Sequence, residues 1–76
     1  MTIYYYSFID MNIFINQEKK FVEENTNLNL LLKKLRIEDK YLAIEVNLEI
    51  IPKSKYSQYI IKENDKIEII RAVGGG

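Results

Sequence analysis

The spacing of Leu28, Leu31, Leu32 and Leu35 constrains the fold more than any other feature of the chain. Positions i, i+3, i+4 and i+7 share one face of a 3.6-residue helix, so these side chains form a single apolar stripe. Asn27 stands where an N-cap is needed, and Lys33, Lys34 and Arg36 suit the negative pole at the other end. A one-sided stripe has to be covered, and its usual cover is a sheet.

The flanking sequence supplies strands. Met11, Ile13 and Ile15 alternate with Asn12 and Phe14, and Asn16-Gln17 marks a turn before Lys19-Lys20-Phe21-Val22-Glu23. This predicts a β-hairpin in which Asn16 tolerates the left-handed geometry of a tight turn. After a loop over 37–40, Leu42, Ile44 and Val46 alternate with Ala43 and Glu45 as a third strand ending at Asn47. A short strand over Glu49–Ile51 stops at Pro52, and Ser54 is expected to cap one irregular helical turn carrying Tyr56 and Tyr59. Glu63-Asn64-Asp65 turns the chain into a last strand, with Ile67 and Ile69 on one face and Glu68 and Ile70 on the other. The order β-β-α-β-β-β predicts an α+β fold, a mixed sheet of about four to five strands packed on one helix, as in a β-grasp or ubiquitin-like roll.

A chain of 76 residues is one small domain. Residues 11–73 account for the folded body and 74–76 for a glycine tail. Residues 1–10 are set apart: they are apolar and aromatic, but too short to span a bilayer and without the basic start and cleavage pattern of a signal peptide. They suit an edge strand, a partner-binding arm, or sequence upstream of a start at Met11.

The tail is the second informative feature. Gly74-Gly75-Gly76 has no side chain to bury and the highest chain entropy to lose, so it is expected to be flexible. Without Cβ atoms it can thread a narrow channel and deliver the Gly76 carboxylate to another protein's active site. Val73 to Gly76 reaches roughly 13 Å when extended. A frayed end or an expression scar is the plainer alternative.

Composition closes most other routes to function. Eleven acidic and eleven basic residues cancel and are interspersed, so no basic stripe points to nucleic acid or a membrane surface. Cysteine and histidine are absent, which removes disulfides, thiolate nucleophiles, the usual zinc ligand sets and the commonest general base. Glu23 with Glu24, and Glu38 with Asp39, are adjacent acids of the kind that ordinarily stay solvated. No catalytic residue and no metal ligand set is expected. No helix follows the terminal glycines to cradle phosphate.

Two segments carry a family resemblance: Val46-Asn47-Leu48-Glu49-Ile50-Ile51-Pro52-Lys53-Ser54, and Glu63 through the closing Ile-Ile-Arg-Ala-Val-Gly-Gly-Gly. From Met11 to the end the chain resembles the ThiS family of sulfur carrier proteins of thiamine biosynthesis. It departs from that family at turns where glycine is usual and where Gln17, Asn25, Arg36, Leu48 and Asn64 stand here. Asparagine accepts left-handed φ at modest cost; Leu48 is less comfortable.

The resemblance implies that a ThiF-like enzyme uses ATP to adenylate the Gly76 carboxylate, with Gly74 and Gly75 as the flexible approach. A sulfur donor of desulfurase or rhodanese type then gives a thiocarboxylate, which passes its sulfur to a ThiG-like thiazole synthase. The chain itself binds no cofactor on this reading, and it works in the cytoplasm, or in the plastid stroma if organelle-encoded. Phe14 and Ile70 face away from the core positions of their strands and are candidates for docking a partner, or for cover by the N-terminal arm. A molybdopterin synthase small subunit of the same mechanism, and a ubiquitin-like modifier or interaction module, are the alternatives.

Overall fold

The computed structural model describes residues 10–38 and 42–71. Its elements are β1 (Asp10–Ile15), β2 (Glu18–Glu23), α1 (Leu28–Lys34), β3 (Leu42–Val46), β4 (Glu49–Ile51) and β5 (Lys66–Arg71). The strands form one five-stranded sheet in the order β2-β1-β5-β3-β4. β1 runs parallel to β5, while β1–β2, β3–β4 and β3–β5 are antiparallel, so the sheet is mixed, as expected. The last of the described strands, β5, is the central one.

Period-two alternation decides which face is buried. Met11, Ile13, Ile15, Val22, Ile44, Val46, Ile67 and Ile69 point to the core, where Leu28, Leu31 and Leu32 of α1 meet them together with Tyr56 and Ile61. The fourth leucine of the stripe behaves differently. α1 ends at Lys34, so Leu35 is the C-cap beyond the last turn, and it stays 36% exposed.

Both ends of the helix are closed by hydrogen bonds. The Asn27 side chain accepts from the Leu30 N–H at 2.8 Å, as its N-cap position predicts. At the other end Arg36 takes φ 57°, its N–H donates to the Lys33 carbonyl, and the Ile37 N–H donates to the Leu32 carbonyl. This is a Schellman closure, with Ile37 packing on the core just beyond it.

The expected cap at Ser54 is not formed. The turn is a 3₁₀ segment, Lys53–Lys55, whose N-cap is Pro52 with no side-chain hydrogen bond. Proline's fixed φ starts the turn at −62°, and Ser54, two positions further on, lies inside the segment and not at its cap.

Both hairpins use two-residue turns with positive φ at each central position: Asn16 (49°) with Gln17 (72°), and Asn47 (52°) with Leu48 (72°). That backbone matches the right-handed twist of the strands it joins. Every position where the family's glycine is replaced here, Gln17, Asn25, Arg36, Leu48 and Asn64, has positive φ. The fold therefore retains the glycine conformation with residues that tolerate it less well.

Candidate functional site

The part of the structure that concerns the tail is the end of β5, because Arg71 is the last described residue before it. Gly74, Gly75 and Gly76, on which the predicted chemistry rests, lie outside the described residues, as do residues 1–9. What the fold shows is how their point of departure is held.

β5 is fixed from both sides. Toward β3 it pairs over five of its six residues, from Val46 opposite Ile67 to Leu42 opposite Arg71. Toward β1 the Phe14 and Asn16 N–H groups donate to the carbonyls of Asp65 (2.9 Å) and Ile67 (2.8 Å). β1 then turns away, and the Asn16 side chain continues the ladder by accepting from the Ile69 N–H at 2.7 Å. On the β3 side Asn47 does the same at the start of the strand, its Oδ1 accepting from the Lys66 N–H at 2.9 Å.

A buried carboxylate anchors the base of the strand. Asp65 is 4% exposed and accepts from the Asn47 Nδ2 (3.0 Å), the Tyr59 hydroxyl (2.9 Å) and the Lys62 N–H (2.9 Å). These donors offset the cost of burying its charge. Burial pushes the Tyr59 hydroxyl up to about 12, and the hydrogen bond to Asp65 and the charges of Asp65 and Glu49 add to the effect. Nothing in this network is arranged as a catalytic acid and base: both carboxylate oxygens accept structural hydrogen bonds and the phenol is held protonated. Its chemistry is structural.

Phe14 and Ile70 share the outer face of the sheet, Phe14 half-buried and Ile70 46% exposed. They are not adjacent. Phe14 lies opposite Lys66 and Ile70 opposite Ala43, so about four residues of β5, roughly 13 Å, separate them, with Glu68 between. Phe14 lines a shallow hollow with Gln17, Lys66 and Glu68. The face also carries Phe21 and Ile50, and it sets Glu45 directly opposite Glu68. Sequence reasoning missed Asn16, Asn47, Tyr59 and Asp65 as the groups holding β5. The signal available was the asparagine at the first turn position of each hairpin.

Among the described residues, a mixed sheet with β5 at the centre, a parallel β1–β5 pair and one α-helix across one face define a β-grasp, ubiquitin-like protein. The profile of the ThiS family matches residues 10–76, and the chain belongs to that family of sulfur carrier proteins of thiamine biosynthesis. The sulfur carrier protein ThiS of Bacillus subtilis is 33% identical over 60 residues, which are 79% of this chain and 91% of that protein. A thiazole synthase of Paramagnetospirillum magneticum is 38% identical over 66 residues, 87% of this chain, and the chain spans only 20% of that protein's length. The crystal structure of the thiamine biosynthesis protein ThiS from Geobacter metallireducens superposes with a TM-score of 0.76 at 28% identity, covering 87% of this chain and all of that one. The domain is a sulfur carrier by family.

Proposed function

We propose that Gly76 is the covalent site of this carrier. A carboxylate is a poor acyl donor, so a ThiF-like adenylating enzyme first joins it to AMP from ATP, releasing pyrophosphate. Sulfur from a desulfurase or rhodanese-type donor then displaces AMP. If it arrives as a persulfide, a thiol cleaves the resulting acyl disulfide, leaving the thiocarboxylate and an oxidised thiol. ATP and the sulfur donor are bound by the partners, which supply the stabilisation of developing charge that this chain lacks.

The observation that carries this reading is the position of β5. The strand feeding Gly74-Gly75-Gly76 is central and is tied down by Asn16, Asn47 and Asp65, so the body is a rigid handle and the glycines supply the reach. From Arg71 the chain extends five residues to Gly76, roughly 16 Å at about 3.3 Å each.

The sulfur is passed to a thiazole synthase of ThiG type. The P. magneticum thiazole synthase supports this acceptor, since a segment resembling this chain makes up a fifth of it. The working compartment on this reading is the cytoplasm, or the plastid stroma for an organelle-encoded chain. No helix among the described residues is long and apolar enough to cross a membrane. The adenylation step is tested by exchange of labelled pyrophosphate into ATP with the adenylating enzyme. Exchange that needs this chain and is lost on removing Gly76 supports the reading; exchange that persists without Gly76 contradicts it.

A further inference from the structure

Pairing along the two edges of β5 is uneven. On the β1 side it ends at Ile67, opposite Ile15, while on the β3 side it runs on to Arg71, opposite Leu42. Residues 68–71 therefore have a strand on one edge only. On the other edge a side chain does the work at Ile69, where Asn16 Oδ1 accepts from the N–H at 2.7 Å and Nδ2 donates to the carbonyl at 3.4 Å. The turn itself does not call for that amide. Asp and Gly also serve at the first position of a two-residue turn with φ 49°, but of the three only Asn carries both an acceptor and a donor for one residue's backbone.

We propose that Asn16 is a positioning residue for adenylation: by holding Ile69 it sets the direction in which β5 leads toward Gly76, and so where the carboxylate is presented once the body is seated on the adenylating enzyme. The inference rests on the carrier reading above. Ile69 stands seven residues before Gly76, roughly 23 Å at about 3.3 Å each, so a tilt of about 10° at Ile69 moves the far end by about 4 Å. An offset of about 1 Å at a reacting group can cost about a hundredfold in rate. Glycine's backbone freedom absorbs part of the tilt, which leaves an expected loss of about tenfold.

Asn16→Gly keeps the positive φ of the turn and removes both bonds. Pyrophosphate exchange into ATP, measured across carrier concentrations at a temperature where circular dichroism shows the variant folded, separates position from stability. A carrier that docks but presents its carboxylate badly should lower kcat about tenfold and leave KM within about twofold, whereas a shortage of folded carrier raises KM at constant kcat. Thr26→Val is the matched control. It deletes a buried hydrogen bond in the connection between β2 and α1, from the Thr26 hydroxyl to the Glu23 carbonyl at 2.7 Å, and should lower Tm with kcat and KM unchanged. Amide exchange followed by NMR reads the hold itself. The Ile69 amide should exchange at least about tenfold faster in Asn16→Gly, while the Glu68 and Ile70 amides, which face β3, stay protected. An unchanged kcat in Asn16→Gly, a rise in KM alone, an equal loss of kcat in Thr26→Val, or an Ile69 amide that keeps its protection overturns the proposal. If the unaltered chain supports no exchange with a demonstrably active enzyme, the carrier reading falls and the proposal with it.

Discussion

Asn16 holds Ile69 through its side chain alone: Oδ1 accepts from the Ile69 N–H at 2.7 Å and Nδ2 donates to the Ile69 carbonyl at 3.4 Å. One turn residue thereby stands in for the strand residue that β1 no longer provides. Asn16→Gly keeps the positive φ of the turn and removes both bonds, so it should cost about 1–2 kcal/mol in urea unfolding.

The phenol of Tyr59 has a raised proton affinity that links folding to pH. Its pKa rises from 10.0 to about 12 in the folded state, so between these values the folded chain holds a proton that the unfolded chain releases. The stabilisation is complete below about pH 10 and is lost as pH climbs toward 12. With solvent screening it amounts to roughly 1–2 kcal/mol. Tyr59→Phe should lower stability at pH 7 by about 1 kcal/mol, because Asp65 loses a donor, and should flatten the fall between pH 10 and 12. Denaturant titrations of both proteins across that range measure the difference.

Leu48 is strained where it need not be. It has φ 72° and is 90% exposed, so its side chain gives nothing back for the left-handed backbone. Leu48→Gly should stabilise the domain by about 1 kcal/mol, a rise of roughly 4–8 °C in Tm for a chain of this length. Leu48→Asn should give part of the same gain. An unchanged or lower Tm for the glycine variant in calorimetry would contradict the turn geometry.

Glu45 and Glu68 lie directly across the β3–β5 ladder on the outer face, and among the described residues neither forms an ion pair. Like charges in register repel, so Glu68→Lys should stabilise by about 0.5–1 kcal/mol at low salt. The gain should shrink as ionic strength rises, because the side chains are at the surface. Thermal melts at low and high salt distinguish this from a packing effect, which salt would leave intact.

Much of this architecture is legible in the sequence because it is local. Alternation in Met11–Ile15, Leu42–Val46 and Lys66–Ile70 assigns each side chain to a face without reference to the rest of the chain, and Asn27 marks its own helix start. The positions that needed tertiary information are those whose role depends on a neighbour remote in sequence. Asn16 and Asn47 carry turn signals, but nothing near them reveals that β5 comes to lie alongside, more than fifty residues from Asn16. Asp65 looked like a turn acid until Tyr59, Lys62 and Asn47 closed around it. Leu35 has the right spacing for the stripe, but periodicity does not report that the helix stops at Lys34. The parity of Phe14 and Ile70 in their strands places them on one face, while the Glu68 between them emerges only from the register. The glycine tail is the converse case, plain in the sequence and outside the described residues.

The central claim is that Gly76 carries sulfur, and intact mass is its most direct test. The purified chain is incubated with ATP, its adenylating enzyme and a sulfur source, beside a variant lacking Gly76. The account predicts a gain equal to the exchange of one oxygen for sulfur in the full chain and none in the variant. An unchanged mass in the full chain with a demonstrably active enzyme, or the same gain in the variant, would contradict it.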